Sequence, residues 1–175
     1  MRIKWFSLIR ITGLLLVLLY HFFQTIFPGG FFGVDVFFTF SGFLITALLI
    51  EEFSKNHEID LIGFFRRRFY RIVPPVVLMV LVTMPFTFLV RQDYVAGIGG
   101  QIAGVLGFMT NFYELITGGS YESQFIPHLF VHNWSLAVEV HYYILWGLAV
   151  WFLSKQSKSI GQLRGMAVSY THLTL

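Results

Sequence analysis

The chain has 175 residues, of which 56% are hydrophobic, 19% aromatic and only 12% charged. Soluble domains carry about a quarter charged residues, because a wettable surface has to cover their core. This composition therefore excludes a soluble enzyme, a disordered chain and a small secreted domain. The net charge of +3 does not indicate a nucleic-acid partner, since the basic residues cluster beside apolar runs, as they do in membrane proteins. The absence of cysteine excludes disulfides, thiolate metal sites and a cysteine acyl-enzyme within the chain.

The first half of the chain predicts three transmembrane helices. The first extends from about Ser7 to Phe27, and no small-residue cleavage site follows it, so we interpret it as a retained helix rather than a signal peptide. Pro28-Gly29-Gly30 predicts a tight turn, after which a second helix extends from about Phe31 to Ile50. The segment from Glu51 to Val73 is the most polar. Pro74-Pro75 is expected to begin a third helix that ends near Val90, because proline is tolerated at a helix start.

Basic residues predict the orientation of these helices. Arg2 and Lys4 precede the first helix, and the polar segment carries Lys55 and four arginines, whereas the turn at Pro28 carries no basic residue. The positive-inside rule therefore places the N-terminus and the polar segment in the cytoplasm of a multi-pass cell-membrane protein.

The second half predicts one clear span, from about Trp134 to Leu153. The Gly-rich segment from Gly99 to Ile116 is compatible with a full span, a re-entrant hairpin or a helix buried among others. A full span would place Lys155, Lys158 and Arg164 outside the cell, and a re-entrant segment would place them inside. The predicted fold class is therefore all-α, a polytopic transmembrane helix bundle with four or five spans.

The first two spans contain ionisable residues with possible chemical roles. Arg10 and His21 lie eleven positions apart, which places both on one helix face about 16 Å apart along the axis. An imidazole in the hydrocarbon region is usually functional, although a basic anchor and an interfacial histidine would explain both residues equally well. Asp35 requires a partner such as His21 or an arginine, or else it stabilises a helix N-terminus. Ser41-Gly42 favours close packing over nucleophilic use of Ser41, because no general base is adjacent in sequence.

Two further clusters carry charge. Arg66, Arg67, Arg68 and Arg71 precede a membrane entry, where their guanidinium groups suit the phosphates of an anionic cytoplasmic ligand, or simply orientation and lipid headgroups. In the last span one helix face combines a carboxylate with aromatic rings, and an interfacial aromatic belt does not explain that carboxylate. The residues of this face are Glu139, Tyr142, Tyr143 and Trp146.

The remaining histidines give weaker signals. His141 lies on a different face of the last span and is predicted to be a neutral packing residue. His128 and His132 have the i, i+4 spacing of a metal pair, but no third ligand is adjacent, so no metal site is predicted.

Four motifs together resemble the integral-membrane acyltransferase family 3, in the order and spacing of that family, over nearly all of residues 1–153. Within the family the sequence is most similar to peptidoglycan O-acetyltransferases of Gram-positive bacteria. The motifs are Arg10-x10-His21, GVDVFFTFSGFLIT (33–46), FFRRRFYRIVPP (64–75) and WSLAVEVHYYILW (134–146).

The resemblance implies transfer of an acetyl group from cytoplasmic acetyl-coenzyme A to a hydroxyl of an extracytoplasmic glycan, with acetyl-coenzyme A as substrate rather than bound cofactor. It implies a catalytic role for His21 and donor contacts for Arg10. Arg68 and Arg71 match the cytoplasmic Arg-x-x-Arg motif, and Arg67 is counted with them as a donor-binding candidate. Asp35 and Glu139 match acidic positions of the family and are counted with the catalytic residues.

Members of this family carry further spans, often followed by an extracellular hydrolase-like domain. Residues 1–153 are therefore predicted to be the N-terminal part of a membrane acyltransferase domain, and 154–175 a polar tail. Residues 168–173 match one translated frame of a sequencing adapter, so we expect the natural frame to continue past Ala167 into more helices. A secondary transporter, which would show related halves, and a non-catalytic membrane interaction module remain as alternatives.

Overall fold

A computed structural model describes residues 4–23, 25–89, 95–117, 128–157, 159, 161–163 and 165. These residues form helices and turns and contain no strand, which confirms the predicted all-α class. The helices are α1 (Lys4–Phe22), α2 (Phe32–Asn56), α3 (Leu61–Thr83), α4 (Ile98–Leu106), α5 (Thr110–Thr117) and α6 (Trp134–Gln156). Short 3-10 turns cover Pro28–Phe31, Met84–Leu89 and Val131–Asn133.

The longest helices have the length and composition of membrane spans. In the described part of the chain, three helical segments are long and apolar enough to cross a bilayer: Pro28–Asn56, Leu61–Thr87 and Val131–Gln156. A shorter apolar segment, Ile11–Phe22, lies within α1. Many large apolar side chains along these helices are exposed, which is expected for surfaces that face lipid. The chain is thus a multi-pass membrane protein.

The third helix begins earlier than predicted. Asp60 caps its N-terminus, since its Oδ1 accepts a hydrogen bond of 2.9 Å from the Gly63 amide, and the helix then runs through Pro74 and Pro75. The prediction that the prolines begin a helix is therefore wrong. The prolines remove the amide donors that the carbonyls of Tyr70 and Arg71 would otherwise use, a loss that membrane helices tolerate. The arginine cluster consequently lies on a helix and not in a polar loop.

Helices α1 and α2 are joined by a tight turn and pack closely. A Cβ atom added to Gly33 would lie 2.6 Å from the carbonyl oxygen of Gly13 and 2.8 Å from a methyl group of Val17. Because a backbone atom cannot give way as a flexible side chain can, only glycine permits this approach. The turn therefore holds the C-terminal end of α1 against the N-terminal end of α2.

Helices α2 and α6 are parallel. A Cβ atom on Gly42 would lie 3.3 Å from the Tyr142 hydroxyl, and further along both helices the Trp146 indole N–H donates to Thr46 Oγ1 at 2.8 Å. Residue numbers increase along both helices in the same direction. The N-terminal end of α6 therefore lies near the end of α1, and its C-terminal end lies near the start of α3. The buried residues between α2, α3 and α6 include Ile45, Leu49, Phe64, Tyr143 and Val150.

The segment from Gly99 to Ile116 is a helical hairpin. Helices α4 and α5 have nine and eight residues, so each is about 14 Å long or less and too short for a hydrocarbon core of about 30 Å. They fold back on each other, and the Tyr113 hydroxyl donates to the Gly97 carbonyl at 3.4 Å. A single full span is therefore not formed, and Lys155 lies at the same end of the bundle as the arginine cluster. Lys158 and Arg164 lie outside the described residues.

Candidate active site

His21 lies at the C-terminal end of α1. Its Nδ1 is 2.8 Å from the carbonyl oxygen of Val17, one turn earlier. A carbonyl oxygen can only accept, so Nδ1 carries the proton and Nε2 carries the lone pair of the neutral ring. The local geometry therefore selects the tautomer in which Nε2 can act as a base.

His132 contacts His21. The centroids of the two rings are 4.9 Å apart, and the ring planes make an angle of 77°. Both residues line a cavity of about 260 Å³. Its other walls come from Val17, Leu18, Tyr20, Phe31, Val34, Trp134 and Ser135. The spacing of His128 and His132 gave no sign of this contact, because the partner of His132 lies on a distant helix.

His128 has a different partner. Its Nδ1 is 2.8 Å from Glu114 Oε2, and the side chains are 18% and 8% exposed. The two histidines that share a metal-like spacing therefore belong to separate clusters.

Glu139 is the centre of a hydrogen-bonded cluster between α2 and α6. Its Oε1 accepts from the hydroxyl of Ser41 on α2 and from the hydroxyl of Tyr143, one turn further along α6. The predicted shared face of α6 is confirmed, since Tyr142 stacks on Trp146 with an angle of 13° between the rings. The hydrogen bond of Ser41 was not predicted, because Ser41 and Glu139 are 98 positions apart.

Arg68 extends from α3 toward the same cluster. Its guanidinium carbon lies 5.6 Å from the centre of the Phe64 ring and 5.7 Å from that of the Tyr143 ring, within the range of cation–π attraction. Its Nε is buried and has no hydrogen-bond partner among the described residues. Arg68 and Arg71 line a cavity of about 350 Å³ together with Ser41, Glu139 and Tyr143. An anion entering this cavity would meet two cations beside a carboxylate that is already hydrogen-bonded.

Arg67 is not part of this cavity. Its Nη2 forms an ion pair of 2.9 Å with Glu52 Oε2, and this pair ties the end of α2 to the start of α3. The structure thus separates Arg67 from Arg68 and Arg71, with which the sequence grouped it. Arg66 lines a larger, mostly apolar cavity of about 900 Å³, and Arg68 and Tyr143 also contribute to the walls of that cavity.

Arg10 and Asp35 are the two remaining candidates, and the structure describes only part of their surroundings. α1 is continuous from Lys4 to Phe22, so helix geometry supports the predicted shared face of Arg10 and His21, but the side chain of Arg10 lies outside the described part. Asp35 is exposed in the first turn of α2. Among the described side chains no hydrogen bond or ion pair joins Asp35 to His21, and Asp35 occupies the first turn of α2, the alternative position considered from the sequence.

The candidate residues lie at different levels of the bundle. The two imidazoles lie at one end, and Glu139 lies about 10 Å further along the axis of α6. Arg68 packs against Tyr143, one turn beyond Glu139, on the side where α3 begins. The arrangement places two imidazoles at one end and a cavity lined by two arginines nearer the other.

Comparison with known proteins shows the family of the chain. Residues 3–162 match the family model described as an acyltransferase domain. The chain is 32% identical over 150 residues to the O-acetyltransferase OatA of Staphylococcus aureus (strain NCTC 8325). The alignment covers 86% of this chain and 25% of that protein. The chain is 31% identical over 139 residues to the peptidoglycan O-acetyltransferase OatA of Listeria monocytogenes, which covers 79% of this chain and 22% of that protein. The chain thus spans about a quarter of the length of these relatives. No solved structure matches it.

Proposed function

Because the chain belongs to the integral-membrane acyltransferase family 3, we propose that it is part of an O-acyltransferase that acetylates an extracytoplasmic glycan. The donor is cytoplasmic acetyl-coenzyme A, and the favoured acceptor is peptidoglycan, which the name of the Listeria relative specifies. The observation that carries the proposal is the contact of His21 Nδ1 with the Val17 carbonyl at 2.8 Å, from which we infer that Nδ1 carries the proton of the neutral ring.

His21 has the chemistry that acyl transfer to an alcohol requires. The acceptor oxygen attacks the carbonyl carbon of the acyl group while Nε2 of His21 takes the hydroxyl proton. The carbon–sulfur bond of the thioester then breaks, and its electron pair leaves with the sulfur. A neutral imidazole suits this step near neutral pH.

The arginine cavity supports the assignment of the donor. Guanidinium groups bind phosphate oxygens through two parallel hydrogen bonds, and coenzyme A carries several phosphates. Arg68 and Arg71 both line the cavity, and the rings of Phe64 and Tyr143 support the guanidinium of Arg68. A donor held there would extend its acyl group along α6 toward His21.

The membrane orientation of the helices follows from the assignment of a cytoplasmic donor and an external acceptor. The N-terminus, the α2–α3 turn and the C-terminal end of α6 face the cytoplasm, where the donor is made. The turn between α1 and α2, with His21, faces the outside, where a glycan acceptor is available.

Muropeptide analysis tests this function. A deletion strain, complemented with the full gene product or with its His21→Ala variant, is analysed by mass spectrometry for base-labile acetyl esters. We expect the esters to disappear on deletion, to return with the unmodified protein, and to stay absent with His21→Ala at equal membrane levels. The matched control is His141→Phe, because the described ring contact of His141 is with Phe112, outside the cavity that His21 lines.

The outcomes separate the parts of the proposal. If the acetyl-ester content changes in another envelope polymer and not in peptidoglycan, the proposed reaction is correct and the proposed acceptor is wrong. If no envelope glycan loses an acyl group, the enzyme assignment fails. Activity retained by His21→Ala would remove His21 from the mechanism.

A further inference from the structure

Two imidazoles share the small cavity at the end of α1. The rings of His21 and His132 contact each other at a centroid distance of 4.9 Å. The surrounding walls are largely apolar and aromatic, and they include Phe31, Val34 and Trp134. His21 therefore has a second imidazole ring, which can also carry a proton, directly beside it.

Ring packing alone does not explain a histidine at position 132. A phenyl ring would make the same edge-to-face contact but could neither accept nor donate a proton. The chain contains 21 phenylalanines and uses them throughout its helices. The choice of an imidazole at this position therefore points to a use for its nitrogen atoms.

The α4–α5 hairpin fixes His132 in place. Glu114 on α5 pairs with His128, and the Gln101 side chain on α4, which is only 1% exposed, accepts from the amide of Phe130 at 3.3 Å. Both contacts hold the segment that leads directly into the turn containing His132. Breaking either contact would leave polar groups without their hydrogen-bond partners, so these contacts restrain the turn beside α1. The α4–α5 hairpin therefore helps to position His132 beside His21.

We propose that His132 accepts the proton that His21 removes from the acceptor hydroxyl. This inference rests on the proposed function. The acceptor O–H bond breaks as the new carbon–oxygen bond forms, and the proton goes to Nε2 of His21, then to a ring nitrogen of His132, and finally to water outside the membrane. The thiolate of coenzyme A leaves with the electron pair of the carbon–sulfur bond and takes a proton from cytoplasmic water. His21 thereby returns to its neutral form for the next acceptor.

Three substitutions at position 132 separate this role from packing. His132→Phe keeps the ring contact, His132→Gln keeps a hydrogen-bonding group, and His132→Ala leaves space in the cavity. In membranes that contain the full gene product, we expect each to lower kcat for acetyl transfer by about 10- to 100-fold, with donor and acceptor KM within about twofold. Added imidazole should restore part of the rate in His132→Ala and none in His132→Phe, where the phenyl ring fills the cavity.

The controls make each outcome decisive. His141→Phe should keep the full rate, and membrane levels and thermal unfolding are measured for every variant. Full activity of His132→Phe or His132→Gln would overturn the relay, and so would a folded His132→Ala that imidazole does not rescue. If His132→Ala does not fold, the Phe and Gln variants still decide the question. If the unmodified protein transfers no acetyl group while folded, the proposed function itself fails.

Discussion

Arg67 and Arg68 are neighbours in the sequence and have different surroundings. Successive residues of a helix project about 100° apart, so Arg67 reaches Glu52 on α2 while Arg68 points to the rings of Phe64 and Tyr143. The exposed pair of Arg67 with Glu52 resembles ordinary surface ion pairs, which contribute little to stability. Of these two arginines, only Arg68 lines the cavity with Glu139.

This difference provides a test of donor binding with a matched control. Arg68→Lys and Arg71→Lys keep the charge but lose the planar fork, so we expect each to raise the apparent KM for acetyl-coenzyme A by about 5- to 10-fold. Arg67→Lys should leave the donor KM unchanged. Steady-state kinetics in membranes measure all three. An unchanged donor KM for Arg68→Lys and Arg71→Lys would mean that these arginines determine membrane orientation and do not bind the donor.

Glu139 provides a second test at this scale. Glu139→Ala leaves the hydroxyls of Ser41 and Tyr143 without their acceptor in a partly buried position, which should cost about 1–3 kcal/mol of stability. Glu139→Gln keeps a carbonyl acceptor and should cost less. Thermal unfolding in detergent, followed by tryptophan fluorescence, compares the variants with the exposed control Glu58→Ala. Equal losses for Glu139→Gln and Glu139→Ala would contradict acceptance by Oε1 as the stabilising contact.

Sequence periodicity predicted site residues only where one helix carries them. The face that contains Glu139 and Tyr143 follows from spacing along α6, whereas the face shared by Arg10 and His21 stays a prediction from spacing along α1. The contacts of Ser41 with Glu139 and of His132 with His21 join distant segments, and no spacing rule encodes them. Packing of α2 against α6, and of the 131–133 turn against α1, creates both contacts.

For the helices, local sequence signals predicted whether a helix forms more accurately than where it begins and ends. The apolar run from Trp134 predicted α6 to within a few residues of its end. Pro74-Pro75 misled the prediction of α3, because the Asp60 cap starts the helix earlier and the membrane helix continues through both prolines. The glycines between Gly99 and Ile116 left the choice between a span and a hairpin open. The turn at Phe108, with φ of +54°, breaks this segment into two short helices.

The close contact between α1 and α2 predicts how a substitution at Gly33 affects stability. Gly33→Ala places a methyl group against the backbone of Gly13, which should destabilise the protein by about 1–3 kcal/mol and separate the two helix ends. Gly29→Ala is the control, because nothing lies within 4 Å of a Cβ at that position. Thermal unfolding in detergent measures both. A Gly33→Ala variant as stable as Gly29→Ala would show that α1 does not depend on this close approach.

The whole molecule has two chemically different ends. Arg67, Arg68, Arg71 and Lys155 lie toward the end where α3 begins and α6 finishes, and the two imidazoles lie toward the other. Transfer from a cytoplasmic donor to an external acceptor requires this polarity to match the sides of the membrane. The positive-inside rule and the parallel packing of α2 and α6 support the same orientation.

Thiol labelling tests that orientation directly, because the chain contains no cysteine and a single introduced thiol is the only one within it. Gly29 lies in the α1–α2 turn with open space around it, and Glu58 is exposed in the α2–α3 turn. A membrane-impermeant maleimide should label Gly29→Cys in intact cells, and it should label Glu58→Cys only after permeabilisation. Since the two turns lie at opposite ends of α2, labelling of both in intact cells would mean that α2 does not span the bilayer. The reverse pattern would place Arg68 outside and His21 inside, which would exclude a cytoplasmic donor bound at the arginine cavity.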